Sequence, residues 1–142
     1  MGLNRKNYLE KVPIFDALSP RQRLDLSRRS VCVELEEGDL LFDEGSEGHE
    51  LVVVLTGSVD IVRGGRVVAR LDRGNTLGEG AVLTREHRNS RAVAHTQAKL
   101  VCIGESDVEA VAAKSPEFRR QLDDLRAARE AVPAATDEVP VP

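Results

Sequence analysis

Short apolar runs separated by glycine-containing turns fill residues 31–104 of this 142-residue chain and constrain its fold more than any other feature. Residues 31–35 alternate with a period of two, which puts three apolar residues on one face: Val31, Val33 and Leu35. Further runs follow at 40–42, 51–56, 59–63, 67–71 and 92–103. The pair Gly64-Gly65 between two of these runs is a strong hairpin signal. About seven short strands at this spacing predict a small antiparallel barrel or roll.

Helical patterns precede this region. Residues 8–29 are predicted to be helical, beginning with an apolar set of four residues: Tyr8, Leu9, Val12 and Phe15. Ser19 suits the N-cap of a helix, Pro20 suits its first position, and Gln22 can close a capping box with Ser19.

Two further helices are predicted after Gly104. The segment Ser106-Asp107-Val108-Glu109 has the pattern of a capping box that opens a helix through about Lys114. Ser115-Pro116 then ends this helix and caps another. The second helix carries an apolar stripe that should pack on the roll: Phe118, Leu122 and Leu125.

The predicted fold class is therefore mainly β with flanking α, an antiparallel, jelly-roll-like β-roll. One domain is expected over residues 1–131, with N-terminal helices at 8–29, the roll at 31–104 and C-terminal helices at 106–131. Residues 132–142 carry no pattern that could bury a face, so we expect a disordered tail there.

Composition excludes several classes of function. The longest apolar run, Leu51–Leu55, is far shorter than the roughly 18–20 residues that cross a bilayer. Four aromatic residues, no Trp and a net charge of −4 argue against a nucleic-acid polymer as partner. The N-terminus lacks an apolar signal core, which favours the cytoplasm. Cys32 and Cys102 are expected to be reduced, buried thiols.

Residues 77–94 carry the candidate chemistry. Gly78-Glu79-Gly80-Ala81 begins with a glycine turn. A short apolar segment that is compatible with one helical turn comes next, and a cationic run follows it. Small residues let a backbone approach a ligand, and free N–H groups at a helix start bind anions. An arginine opposite such donors would add a charge-assisted bond to a phosphate. These residues alone fit either a phosphate cradle or a surface turn with ordinary charges.

Two motifs in register resemble the cyclic-nucleotide-binding domain family, which includes the catabolite activator protein, the regulatory subunits of protein kinase A and cyclic-nucleotide-gated channels. The first motif comprises Leu41-Phe42, Gly45-Ser46, Gly48, Leu51-Val52-Val53-Val54 and Gly57. The second comprises Leu77-Gly78-Glu79, Ala81-Val82, Arg88, Ala92 and Ala94. The second motif is similar to the family's phosphate-binding cassette, and the whole resemblance covers residues 8 to 130 or so. It implies the β-roll with a short cassette helix.

The resemblance also implies residue roles. Glu79 matches the glutamate that accepts a hydrogen bond from the ribose 2′-hydroxyl, and Arg88 matches the arginine that pairs with the cyclic phosphate. Backbone N–H groups around Gly80 and Ala81, beside Gly78, would hold the other phosphate oxygens. Asn89 and Ser90 depart from the family pattern, although the Asn89 amide can still donate to a phosphate oxygen or a base edge.

Two further arginines, Arg129 and Arg91, also have simpler roles open to them. The helical period places Arg129 on the face of Phe118 and Leu122, and family members often cover the purine with a residue of this helix. Arg129 is therefore a candidate lid over the base, and the alternative is a snorkelling arginine that stabilises a helix C-terminus. Arg91 is expected to be an outward-facing strand residue rather than a ligand contact.

The resemblance implies a regulatory module that binds a cyclic nucleotide, cAMP first and cGMP second, and the length of the chain leads us to expect a stand-alone module. It would signal through its C-terminal helices to an effector protein or a homodimer partner. The alternative is a degenerate domain that serves as a protein-interaction scaffold, which the departures at Gly80, Asn89 and Ser90 leave open. An enzyme is not expected, because His49, His87 and His95 are scattered and form no metal-binding pair. Neither a metal nor a membrane is an expected partner.

Overall fold

The computed structural model describes Leu9, residues 12–46, Gly48, residues 50–77 and residues 90–130, with side chains as far as residue 127. The strands are β1 (Val31–Leu35), β2 (Leu40–Phe42), β3 (Glu50–Thr56), β4 (Val59–Arg63), β5 (Arg66–Leu71), β6 (Thr76–Leu77), β7 (Arg91–Ala94) and β8 (Ala98–Gly104). The helices are the 3₁₀ helix η1 (Pro13–Ala17), α1 (Pro20–Arg29), α2 (Glu105–Lys114) and α3 (Pro116–Glu130). The predicted cassette helix and the predicted tail lie outside the described residues.

The strands form two four-stranded sheets in which every neighbouring pair is antiparallel. The first sheet has the order β1-β8-β3-β6, and the second has the order β2-β7-β4-β5. Gly64 and Gly65 join β4 to β5 with φ angles of 59° and 80°, which glycine adopts without strain. The antiparallel roll predicted from the sequence is confirmed.

Local capping signals are confirmed at two helices. At the start of α1, the backbone N–H of Gln22 donates to Ser19 Oγ at 3.1 Å, and the N–H of Ser19 donates to Gln22 Oε1 at 2.9 Å. These two bonds are the reciprocal pair of a capping box. At α3, the N–H of Phe118 donates to Ser115 Oγ at 3.3 Å. Ser115 therefore ends one helix and caps the next, as predicted.

The prediction of one continuous run at 92–103 is wrong. Strand β7 ends at Ala94, and β8 begins at Ala98 in the other sheet. The chain turns between them because the Ser58 carbonyl accepts bonds from the N–H groups of His95 at 3.0 Å and Thr96 at 3.4 Å. Strand β6 is a further difference, since the sequence pattern predicts no strand at Thr76–Leu77.

The predicted capping box at Ser106 is also wrong. Helix α2 begins at Glu105 directly after β8, and its N-cap is Gly104, which provides no side-chain bond. Because the strand continues into the helix without a loop, Ser106 already lies in the first helical turn. Glu105 and Asp107 in that turn place negative charge at the positive end of the helix dipole.

The first sheet is buried on both faces, which explains the uninterrupted apolar run of β3. Leu51 and Val53 pack against the helices, whereas Val52 and Val54 pack against the second sheet. The helix-side cluster comprises Leu9, Val12, Ile14, Phe15, Leu18, Leu26, Leu51, Val53, Val101, Ile103, Val108, Ala112, Phe118 and Leu122. Within it the rings of Phe15 in η1 and Phe118 in α3 stack with their centroids 5.7 Å apart. This contact joins η1, the first described helix, to α3, the last one.

Strand β1 departs from two expectations because it lies at the edge of the first sheet. Cys32 is exposed, whereas Cys102 in the central strand β8 is buried as predicted. Val31 is 57% exposed although it begins the apolar face that ends with the buried Leu35. The predicted alternation of β1 is correct. However, β1 has a neighbouring strand on one side only, and its apolar face is buried only near Leu35.

Candidate functional site

The structure describes the residues on either side of the predicted site, but it does not describe most of the predicted site residues themselves. Six of the predicted site residues lie outside the described residues: Gly78, Glu79, Gly80, Ala81, Arg88 and Asn89. Ser90 is described with its side chain, and Arg129 is placed in α3 by its backbone alone. The geometry on which a site can be built is therefore that of the residues that precede and follow 78–89.

The segment 78–89 leaves one sheet and enters the other. It follows β6, where Leu77 is 1% exposed and pairs with Val52 of β3. Just before β6 the chain is fixed by hydrogen bonds between Gly74 N–H and the Val54 carbonyl at 2.8 Å, and between Val54 N–H and the Asn75 carbonyl at 2.9 Å. The segment ends at Ser90, directly before β7 of the second sheet. Its two ends are thus anchored one on each sheet.

Ser90 begins the buried side of β7. Ser90, Ala92 and Ala94 are 4%, 0% and 1% exposed, and the residues between them point outward. Ala92 and Ala94 pair with Ile61 and Val59 of β4 and belong to the apolar cluster between the sheets. Ser90 therefore places a hydroxyl at the edge of an apolar interior, where the candidate cassette ends.

Arg63 is a residue that the sequence reasoning missed. It ends β4, and its Nη2 donates to Ser90 Oγ at 3.4 Å. The available signal was the alternation of β4, because Val59 and Ile61 face the interior and Arg63 is the next residue in that series. A charged residue at an inward position of a strand is informative, since most charged side chains of a strand face solvent.

Arg91 lies on the outer surface, as expected. Its side chain is 49% exposed, and its Nε donates to Asp43 Oδ1 at 2.9 Å. This bond, together with the bond from the Glu44 N–H, holds the pKa of Asp43 below its ordinary value of 3.8. Arg91 therefore ties β7 to the loop after β2 and is committed to a surface ion pair.

A nearly buried ion pair fixes the hairpin that carries Arg63. Arg70 Nε lies 2.6 Å from Asp60 Oδ1, and the two side chains are 9% and 14% exposed. Asp60 and Arg70 are directly opposite in the β4–β5 ladder. The hydrogen bond from Arg70 and the Coulomb attraction of Asp60 raise the pKa of that guanidinium. His95 Nδ1 approaches the other Asp60 oxygen at 3.4 Å.

A cavity of about 400 Å³ lies between η1, the turn before β6 and α3. Its lining combines three elements of the fold: Pro13, Ile14, Gly74, Asn75, Thr76, Gln121, Asp124 and Leu125. Gln121 Oε1 is buried without a hydrogen-bond partner among the described residues. Since Thr76 lies two residues before Gly78, the cavity connects α3 to the strand that leads into the candidate cassette.

The described residues contain no group of three or more side chains that could hold a metal ion. Within the same part of the chain, no helix is both long enough and apolar enough to span a bilayer.

Comparison with known proteins assigns the family. The model of the cyclic nucleotide-binding domain matches residues 32–115, which is more than half of the chain. This chain belongs to the cyclic nucleotide-binding domain family.

Individual relatives agree with this assignment. A cAMP-dependent protein kinase regulatory subunit from Hypocrea atroviridis is 28% identical over 101 residues, which is 71% of this chain and 22% of that protein. Thermus thermophilus catabolite activator protein matches with a TM-score of 0.73 and 28% identity, over 82% of this chain and 57% of that structure.

The regulatory domain of Toxoplasma gondii PKA, solved with cAMP, shares the fold with a TM-score of 0.75 at 19% identity. The match covers 89% of this chain and 48% of that structure. The chain spans less than a third of the length of the curated relatives that it matches.

Proposed function

We propose that this chain binds a cyclic nucleotide at residues 78–90 and reports its occupancy through α3. The observation that carries the proposal is the family match over residues 32–115, which includes the whole cassette motif from Leu77 to Ala94. The placement of β6 and β7 in different sheets supports it, because a ligand held by the residues that join these strands would lie near both sheets.

The proposed roles follow the motif. Glu79 accepts a hydrogen bond from the ribose 2′-hydroxyl, and Arg88 pairs with the cyclic phosphate. The backbone around Gly78, Gly80 and Ala81 supplies N–H donors to the remaining phosphate oxygens, for which residues without bulky side chains are suited. Ser90 and the Asn89 amide add hydroxyl and amide groups at the end of the cassette.

The first ligand to test is cAMP, and cGMP is the second. The kinase regulatory subunit from Hypocrea atroviridis is named for its dependence on cAMP, and the Toxoplasma gondii domain was solved with cAMP. Both nucleotides carry the same ribose and cyclic phosphate, which are the groups that Glu79 and Arg88 would recognise.

Signal output is proposed to pass through α3 to an effector protein or a second copy of the chain. The cavity of 400 Å³ supports this route, because Thr76 before the cassette and Leu125 of α3 line it together. A ligand shifts a helix only by its different affinity for two arrangements, and the cavity is the place where α3 and the strand before the cassette come near each other. Arg129, near the end of this helix, is the proposed lid over the base. Location in the cytoplasm stays a prediction.

Titration calorimetry with cAMP and cGMP tests the binding proposal. The wild type should bind at least one of them, and Arg88→Ala should abolish detectable binding. Arg91→Ala is the matched control, since Arg91 is three residues away and committed to Asp43 on the outer surface. It should bind like the wild type. Binding that survives Arg88→Ala would place the site elsewhere, and no heat at millimolar ligand would favour the scaffold function.

The role of α3 is tested separately. Amide hydrogen exchange over residues 116–127 should slow when cAMP is added, and Arg129→Ala should weaken binding if this side chain covers the base. Unchanged affinity in that variant removes the lid while leaving the cassette intact.

A further inference from the structure

The inference concerns Arg63, which the strand register places beside Ser90 at the end of the candidate cassette. Strand β4 pairs with β7 through Ile61 opposite Ala92 and Val62 opposite Arg91. One further step in this antiparallel register brings Arg63 beside Ser90. The contact between Arg63 Nη2 and Ser90 Oγ at 3.4 Å agrees with that register.

The Arg63 guanidinium is incompletely satisfied. Its Nε is buried and has no hydrogen-bond partner among the described residues. Within the same part of the chain Arg63 forms no ion pair, and its bond to Ser90 is long and involves a neutral hydroxyl. A buried donor without a partner destabilises the fold, so a ligand acceptor that completed this group would offset that cost.

The hairpin holds Arg63 in place before any ligand arrives. The ion pair between Asp60 and Arg70 fixes the pairing of β4 with β5, and the two-glycine turn follows Arg63 directly. Arg66 lies opposite Arg63 in the same ladder, yet its side chain is exposed. The two arginines therefore lie at the same distance from the turn and differ in how far their side chains are buried.

We propose that Arg63 is a second cationic contact for the ligand phosphate, contributed by β4 rather than by the cassette. This inference rests on the proposed function. The cyclic phosphodiester is the one charged group of a nucleoside cyclic monophosphate, so it is the group that a guanidinium at this place would bind. The ligand would then bridge the cassette, which is anchored on both sheets, to the hairpin of the second sheet.

Calorimetry with cAMP and cGMP on five proteins tests the contact: the wild type, Arg63→Ala, Arg63→Gln, Arg63→Lys and Arg66→Ala. Arg63→Ala should lower the affinity for each nucleotide that the wild type binds by about tenfold or more, as expected for a lost hydrogen bond to a charged group. Arg63→Gln keeps a donor for Ser90 without the charge and should bind as weakly. Arg63→Lys should recover part of the affinity, and Arg66→Ala should bind like the wild type.

Two further readouts separate a phosphate contact from a structural role. Raising the salt concentration should weaken binding less steeply in Arg63→Gln than in the wild type, because one charge contact is gone. The melting temperature of ligand-free Arg63→Ala should stay the same or rise, since an unpartnered buried donor is removed.

Several outcomes would overturn the inference. Wild-type affinity in Arg63→Ala or in Arg63→Gln would each exclude a charge contact with the phosphate. So would a loss for only one nucleotide when the wild type binds both. If the wild type itself bound neither nucleotide, the proposed function would have failed first, and this result is distinguishable because it needs no variant.

Discussion

At the scale of single residues, Gly57 has a strict steric requirement that Gly65 lacks. Its φ is +80°, and a Cβ there would overlap the Gln97 carbonyl oxygen and lie 2.8 Å from the Cα of Ala98. Gly65 has the same φ of +80°, but a Cβ there would meet nothing within 4 Å. A substituted residue would meet the same backbone strain at both positions, but the space around its Cβ would differ.

Gly57→Ala should therefore destabilise the protein more than Gly65→Ala. The shared strain costs about 1–2 kcal/mol, and overlap with backbone at Gly57 should add about 1–3 kcal/mol. Urea unfolding of both variants gives the two free energies of unfolding. Equal losses would contradict the role of the contact with residues 97 and 98.

Residue-scale prediction from the sequence succeeded where one residue and its near neighbours decide the structure. Ser19 and Gln22 are three positions apart, and their capping box was predictable. Arg63 and Ser90 are 27 positions apart, and their contact depends on β4 lying beside β7. No local pattern contains that adjacency, so the sequence alone assigned no role to Arg63.

At the scale of elements, α3 is held by one aromatic contact and one aliphatic stripe. Phe118 and Leu122 are completely buried, and the Phe118 ring stacks on Phe15 of η1. The stripe was predictable because its spacing lies within a single helix. The break between β7 and β8 was not, because it depends on the Ser58 carbonyl, which is distant in sequence.

Phe118→Ala should lower the free energy of unfolding by about 3–5 kcal/mol, because it leaves a cavity under α3. Phe118→Leu should lower the free energy of unfolding by less, and it can be measured in place of the alanine variant if that variant does not fold. Arg119→Ala is the matched control, since that side chain is exposed and pairs with Asp123 one turn away. It should change stability by less than about 0.5 kcal/mol. Urea unfolding measures all three, and a large loss in the control would contradict this account of α3.

At the scale of the whole molecule, the first sheet is covered by helices on one face and by the second sheet on the other. Cys102 lies in the central strand of this covered sheet, whereas Cys32 lies on its exposed edge. The sequence predicted the roll because its turn signals and periods are local. It did not predict which strands lie at the edge, and so it placed both thiols inside.

The two thiols should therefore react at very different rates. An aromatic disulfide reagent should modify Cys32 at once in native buffer and Cys102 only when the roll opens. Following the released thiolate by absorbance should give one fast equivalent and one slow equivalent. Cys32→Ser should remove the fast phase alone. Two fast equivalents would contradict the burial of β8.

The strand order has a consequence for how the chain reaches this structure. Among the eight described strands, only β4 and β5 are both consecutive in sequence and paired; each of the other pairings joins strands that are separated along the chain. Loop closure must therefore be completed before most of the sheet contacts form, which makes refolding slow, in the range of about milliseconds to seconds. The β4–β5 hairpin is the natural first structure on this route, so the element that carries Arg63 would form before the sheet on which residues 78–89 begin.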